Sequence, residues 1–113
     1  MVQYHQQQLD QAFAALSDPT RRGILERLGR GRATISELAD PFGISLTGMK
    51  KHVQVLEEAG LVRTEKVGRT RWCTLGPQDL DAVQQWIVGY RLMLDERLDR
   101  LGELLESTKG DKR

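Results

Sequence analysis

Residues that bind metals or form disulfides are scarce in this sequence of 113 residues. It contains one cysteine, Cys73, and two histidines, His5 and His52. A single cysteine cannot form a disulfide within the chain, and it is typical of a reducing compartment. A transition-metal site needs three or four convergent nitrogen or sulfur ligands, and the spacing of these three residues does not make them converge. We therefore expect no internal disulfide, no metal site and no cofactor.

Long apolar segments and the motifs of common enzymes are also missing. No segment approaches the roughly 20 consecutive apolar residues of a membrane span, and no leader resembles a signal peptide. The sequence has no glycine-rich phosphate loop, no nucleophile elbow and no Ser/Cys–His–Asp set with a motif around it. We expect a cytoplasmic protein that has no membrane partner and is not an enzyme.

The charge of the chain is unevenly distributed, although its net value is only +1. Residues 20–75 hold 11 Lys/Arg against 6 Asp/Glu, whereas residues 1–19 and 76–113 each carry a net charge of −2. A basic centre between acidic ends predicts a module that faces a polyanion, flanked by segments with another role. The length predicts one domain, of a size at which oligomerisation often adds stability.

The interpretation of the chain centres on residues 43–62, which read GISLTGMKKHVQVLEEAGLV. Ser45 can accept a hydrogen bond from a free N–H group at a helix start, and Gly60 stands where a left-handed residue would end the helix. Met49, Val53 and Leu56 recur at the i, i+4 and i+7 positions of one apolar face. The pattern predicts an amphipathic helix.

The opposite face of this predicted helix is short, basic and able to donate hydrogen bonds. Its residues, with the cap included, are Ser45, Thr47, Gly48, Lys50, Lys51 and Gln54. Such a face suits a recognition helix that enters the major groove of DNA. Because a basic helix face is often simply solvated, the neighbouring segments must decide between the two interpretations.

The segment before this helix supplies the other half of a helix-turn-helix. Thr34 and Glu37 in the motif TISE form a capping box, and the short helix that it opens is expected to end before Pro41. A tight turn that contains Gly43 then leads into the recognition helix. Two short helices joined by a few residues with glycine are the sequence form of a helix-turn-helix, here over residues 34–59.

Two further helices are predicted nearer the N-terminus. An apolar repeat over residues 9–16 predicts the first, preceded by a flexible arm at residues 1–8. Thr20 is expected to cap the second, whose first turn carries Arg21 and Arg22. Because cations are unfavourable at a helix N-terminus, we expect these arginines to bind DNA phosphate, with a solvated pair as the alternative.

Residues 61–75 alternate between apolar and polar around Gly68, which predicts a β-hairpin. The basic residues at its tip and outer face are Lys66, Arg69 and Arg71. A basic hairpin directly after a recognition helix is a wing, positioned to touch the adjacent DNA backbone or minor groove. A two-stranded hairpin is not stable alone, and we expect Trp72 to hold it against the helices.

The last predicted element is a long helix over residues 77–106, with Pro77 at a favourable first position. Its apolar residues follow a near-heptad spacing: Leu80, Val83, Ile87, Tyr90, Leu94, Leu101 and Leu104. The helix is longer than the small body beneath it, so its outer part must bury this stripe against something else. A partner subunit in a C₂ dimer is the economical answer, and a disordered tail is expected at residues 107–113.

Four motifs together resemble the ArsR family of bacterial winged helix-turn-helix repressors. They are DPTRR, TISELAD, GISLTGMKKHVQVLEEAGLV and VGRTRW, and the resemblance covers about residues 9–105. It implies a mainly α fold of about five helices with a small β-hairpin. The family commonly has a small residue at the position of Lys50, so the base preference of this chain can differ.

The resemblance further implies a homodimeric repressor that binds a palindromic double-stranded DNA operator of a small operon, which can include its own gene. In the family the first and last helices form the dimer interface. The residues that match it here are Leu9, Phe13, Ile87, Tyr90, Leu94 and Leu101. The helix that begins near Ser45 would enter the major groove, and the hairpin would grip the flank.

Many relatives in this family are metal sensors, with a Cys-x-Cys pair in the third helix or histidine and carboxylate ligands in the last. The third helix here reads ELAD without cysteine, and the last predicted helix has no histidine. The chain therefore resembles the branch without metal ligands, whose members often regulate small operons and respond to unknown ligands or to none. A metal- or thiol-responsive sensor and a protein-interaction module that does not bind DNA are the two alternatives.

Overall fold

The structure is a computed structural model that describes residues 2–76 and 78–111. Its helices and strands follow in the order α1 (Val2–Leu16), α2 (Pro19–Leu28), β1 (Ala33–Thr34), α3 (Ile35–Phe42), α4 (Leu46–Glu58), β2 (Val62–Val67), β3 (Thr70–Leu75) and α5 (Gln78–Asp111). Residues up to Val83 form one compact unit, and those from Gln84 form a second, helical unit. The predicted mainly α fold with a small β part is confirmed.

The core of the first unit lies where helices α2, α3 and α4 meet the sheet. Met49, Val53 and Leu56 of α4 are buried, as their spacing predicted. Ile24 of α2 and Leu38 of α3 are buried in the same cluster. Because the inward face of α4 is fixed by these contacts, its polar face is held outward.

The sheet has three antiparallel strands in the order β1-β3-β2, not the two of the predicted hairpin. Strand β1 has only two residues, too short for an alternating pattern to reveal, and pairs Ala33 with Cys73. Gly68, with φ +63°, and Arg69, without a positive φ, form the two-residue turn between β2 and β3. Glycine at the first central position is typical of a type II′ turn.

Trp72 was predicted to hold the hairpin against the helices, but it is not part of the buried core cluster. Trp72 is only half-buried, and the guanidinium of Arg32 lies 4.0 Å from its ring centroid in a cation–π contact. The fully buried side chains of the two long strands are Val62 and Cys73. Val62 and Cys73, rather than Trp72, therefore join the sheet to the core.

Two helix boundaries of the first unit differ from the predicted ones. Asp18, not Thr20, caps α2, and its carboxylate accepts a hydrogen bond from the backbone N–H of Arg21. Pro41 lies inside α3, which continues to Phe42. Near the C-terminal end of a helix, proline removes only one helical hydrogen bond. Gly43, with φ +64°, ends the helix, because its N–H donates to the carbonyl of Asp40 and the N–H of Ile44 donates to that of Ala39.

The terminal helices extend beyond their predicted bounds. Helix α1 begins at Val2, where a flexible arm was expected, and α5 continues to Asp111, where a disordered tail was expected. Glutamine is a good helix former, but a run of polar residues carries no apolar periodicity from which a helix can be predicted. Pro77 and the side chain of His5 lie outside the described residues.

Candidate nucleic-acid interface

The predicted recognition helix is α4, and both of its ends are closed by specific hydrogen bonds. At the N-terminus, the hydroxyl of Ser45 accepts a hydrogen bond of 3.1 Å from the N–H of Gly48. At the C-terminus, Gly60 has φ +77°, and its N–H and that of Leu61 donate to Glu57 and Leu56. This is a Schellman motif. The helix is therefore fixed in length as well as in orientation.

The predicted base-reading side chains lie on the exposed face of α4. Thr47, Lys50, Lys51 and Gln54 are all exposed. The amide of Gln54 donates a hydrogen bond of 3.2 Å to the carboxylate of Glu58, one turn further along the helix. The amide is thus oriented along the helix axis.

Gly48 contributes to the helix-turn-helix in a way that the sequence did not indicate. A Cβ at this position would lie 2.9 Å from Cγ2 of Ile44 and 3.3 Å from the hydroxyl of Ser45. A larger residue would therefore displace the turn that precedes the helix. The predicted DNA contact of Gly48 stays a prediction, whereas its packing role is visible in the structure.

An open groove with a volume of about 580 Å³ lies between α4, the hairpin and the N-terminal turn of α3. We call it the basic groove. The residues of α4 and of the hairpin that line it are Leu46, Lys50, Lys66, Arg69, Thr70 and Arg71. The groove brings Lys50 of the predicted recognition helix together with the three basic residues predicted for the wing. Among its described lining residues none is acidic, so the surface is complementary to a polyanion.

A chain of two hydrogen bonds connects the hairpin to the recognition helix. The guanidinium of Arg71 donates to the hydroxyl of Thr64 at 2.9 Å. That hydroxyl donates in turn to the carboxylate of Glu57 at 2.6 Å. Arg71 is thereby held at the edge of the basic groove by a residue of α4, which the sequence analysis did not foresee.

Arg21 and Arg22 cap the C-terminus of α1. The guanidinium of Arg21 donates to the carbonyls of Ala15 at 2.8 Å and Ala14 at 3.1 Å, and that of Arg22 to Leu16 at 2.7 Å. Cations are favourable at a helix C-terminus. Their position at the start of α2 is therefore explained without DNA, and the phosphate contacts predicted for them stay untested.

His52 of α4 faces the corner between α1 and α2. Its Nδ1 lies 3.4 Å from the guanidinium of Arg21 and 4.0 Å from the carboxylate of Asp18. The hydrogen bond from the backbone of Arg21 is the main reason why the pKa of Asp18 is lowered. His52 thus connects the recognition helix to the capped end of α1.

Cys73 is an unreactive type of thiol in this structure. It is fully buried, and burial together with the nearby Glu57 raises its pKa from 9.0 to about 11. Low reactivity follows, because the thiolate is the reactive form.

Among the residues whose side chains the structure describes, no group of three His, Cys, Asp or Glu residues could hold a metal ion. No described helix is long and apolar enough to cross a membrane.

Large apolar side chains are exposed along α5. Ile87, Tyr90, Leu94 and Leu101, which were predicted for the dimer interface, are among them. Tyr90 also stacks on Trp86, with ring centroids 5.3 Å apart. The predicted interface residues of α1 are less exposed, because Leu9 is half-buried and Phe13 is 36% exposed. An apolar surface of this extent is typical of an interface.

Leu46 is an apolar lining residue of the basic groove that was not among the predicted site residues. It opens α4 directly after the cap and is 50% exposed. Its position four residues before Lys50 was the available signal, because residues at i and i+4 share one side of a helix.

Comparison with known proteins gives matches over most of the chain. Residues 16–65 match the family described as Helix-turn-helix domain. The chain is similar to the HTH-type transcriptional regulator Rv2034 of Mycobacterium tuberculosis, with 35% identity over 80% of this chain and 92% of that protein. It is also similar to the transcriptional repressor SdpR of Bacillus subtilis, with 29% identity over 73% of this chain and 91% of that protein. The crystal structure of an ArsR family transcriptional regulator shares 44% identity at a TM-score of 0.75, over 79% of this chain and 92% of that one.

Proposed function

Because the chain belongs to the ArsR family of transcriptional regulators, we propose that it is a homodimeric repressor that binds a palindromic DNA operator in the cytoplasm. The observation that carries this proposal is the basic groove, in which Lys50 of the recognition helix and the basic residues of the hairpin line one surface. The proposed activity is binding alone, without catalysis or a cofactor.

The recognition helix would read bases from the major groove. Helix α4 has 13 residues and is therefore about 20 Å long, and the major groove, about 12 Å wide, admits such a helix. Lys51 and Gln54 are the proposed base-reading residues, with Thr47 and Lys50 able to contact bases or phosphate. These side chains are exposed, so they reach DNA without rearrangement of the fold.

The hairpin would contact the phosphate backbone beside the recognition helix. Lys66, Arg69 and Arg71 are exposed and line the groove. Each phosphate that a cation neutralises releases counterions, so each contact makes the negative slope of log affinity against log salt steeper by about 0.9. Phosphate contacts fix the register of the protein on DNA but carry little sequence information.

A dimer would be formed through the exposed apolar residues of α5 together with α1. A C₂ dimer presents two copies of α4, and these can occupy two half-sites about one helical turn, or 34 Å, apart. The operator is then a palindrome, because the symmetry of the protein is matched by that of its site. Repression follows if the site overlaps a promoter, and the relative SdpR is named as a transcriptional repressor.

In the proposed function, neither a metal ion nor oxidation of the thiol controls DNA binding. Cys73 is buried with a raised pKa, and a thiol in such a setting reacts slowly.

Selection of bound duplexes from random DNA tests the proposed function. We expect enrichment of one palindromic sequence by the wild type, and its loss with the double variant Lys51→Ala/Gln54→Ala. A matched control is Glu96→Ala/Arg100→Ala, which changes two exposed residues of α5 and should enrich the same palindrome. Failure of the folded wild type to enrich any sequence would contradict the proposal.

A further inference from the structure

We propose that Leu46 sets part of the sequence preference by packing against the C5-methyl group of a thymine in each operator half-site. The inference rests on the proposed function, and it adds an apolar contact to a surface otherwise described by charge and hydrogen bonds. Leu46 would then be a specificity-determining residue of the interface.

The position of Leu46 places it at the part of a recognition helix that approaches bases. It is the first residue of α4, directly after the cap Ser45. In helix-turn-helix proteins the N-terminal residues of the recognition helix contact base edges. Leu46 lines the basic groove with Lys50, one turn further along α4, and with Arg69 across from it in the hairpin.

The burial of Leu46 shows that the fold uses only part of this side chain. Leu46 and Val53 are seven residues apart and share one side of α4, yet Val53 is 3% exposed whereas Leu46 is 50% exposed. In the first turn of α4 the apolar stripe therefore extends beyond the core and reaches the edge of the groove. Half of a leucine side chain is left facing solvent among cations.

The chemistry of the major groove restricts what this exposed surface can contact. Base edges present hydrogen-bond donors and acceptors there, and the thymine methyl is the one apolar group among them. Lys50 and Arg69 can satisfy acceptors or phosphate, but neither offers an apolar surface of comparable shape. Leu46 is complementary to a thymine at the position that it faces.

The expected effect can be derived from the size of the contact. Removing one methyl group from a buried contact costs about 0.8 kcal/mol, which corresponds to about fourfold in affinity. Replacing thymine by uracil removes only this methyl and leaves the hydrogen-bonding pattern of the base unchanged. The substitution therefore isolates the proposed contact.

The experiment is a thymine-to-uracil scan of one half-site of the selected operator, measured with wild type and with Leu46→Ala at fixed salt. We expect one position at which uracil weakens wild-type binding about fourfold and at which Leu46→Ala binds both duplexes equally. Val67→Ala is the matched control, because it truncates another exposed apolar side chain, at the end of β2, and should keep the wild-type discrimination. Circular dichroism of each variant checks that it is folded.

The outcomes separate this inference from the proposed function. A half-site without thymine, or a scan in which wild type and Leu46→Ala respond alike at every position, overturns the assignment of Leu46 and leaves operator binding intact. If no operator is selected in the first place, the proposed function is wrong and the assignment falls with it.

Discussion

Replacement of Thr64 by valine should weaken DNA binding without removing any charge from the basic groove. The hydroxyl of Thr64 accepts from Arg71 and donates to Glu57. Valine has the same shape and no hydroxyl, so both hydrogen bonds are lost together. Arg71 keeps its charge but is no longer oriented by the recognition helix, and its side chain must be ordered when DNA binds.

The size of this effect follows from the cost of ordering one long side chain. Immobilising a side chain with many rotamers costs about 0.5–1.5 kcal/mol on binding. The affinity for the selected operator should therefore fall by a factor of about 2 to 13. Because Arg71 can still reach a phosphate, the slope of log affinity against log salt should stay unchanged. Arg71→Ala should instead make that negative slope shallower by about 0.9.

Fluorescence anisotropy titrations at several salt concentrations measure both quantities. Thr74→Val is the matched control, since it makes the same substitution at an exposed position of β3, opposite Arg63, and should bind as the wild type does. Unchanged affinity of Thr64→Val would refute the positioning of Arg71 by this hydrogen-bond chain. A slope reduced as far as in Arg71→Ala would show that Arg71 leaves the DNA altogether.

Four further predictions concern packing, the thiol, the dimer and metals. Gly76→Ala should lower the free energy of unfolding by about 1–3 kcal/mol in thermal denaturation, because its Cβ would lie 2.5 Å from the carbonyl oxygen of Gly60; Gly102→Ala, which meets open space, should cause no loss. The pKa of the Cys73 thiol is raised from 9.0 to about 11 in the folded state, so its contribution to the free energy of unfolding should be complete below pH 9 and be lost as the pH rises through about 11. Cys73→Ala should therefore lose less stability than the wild type over that range. Leu94→Glu/Leu101→Glu should sediment as a monomer, since each change would bury an unpaired charge in the dimer; a wild type that is itself monomeric at micromolar concentration contradicts the proposed interface. Zinc, nickel, copper or arsenite should leave operator affinity unchanged, and release of DNA at micromolar metal that EDTA reverses would contradict this.

The recognition helix could be predicted from the sequence because its determinants are local. The cap Ser45, the buried stripe of Met49, Val53 and Leu56, and the closing Gly60 all act within one helix, and the structure confirms each of them. The capping box of α3 was predictable for the same reason. Local hydrogen bonds and helical periodicity are properties that a sequence displays directly.

The contacts that were missed join residues of different secondary-structure elements or involve segments too short to show a pattern. Strand β1 consists of two residues, and its pairing with β3 spans about forty positions of the chain. The capping of α1 by Arg21 depends on the angle between two helices, which no periodicity specifies. The link from Arg71 through Thr64 to Glu57 requires the register of the hairpin and the end of α4 together. Long-range geometry of this kind is set by packing.

Equilibrium binding of the selected operator, compared with a duplex of the same bases in shuffled order, tests sequence-specific DNA binding most directly. The titration is made at physiological salt, where the phosphate contribution common to all sequences is reduced. We predict that the operator binds at least about 10³-fold more tightly than the shuffled duplex, as is typical of specific regulators. Equal affinity for the two duplexes would contradict the account, because the exposed face of α4 would then contribute charge without reading sequence.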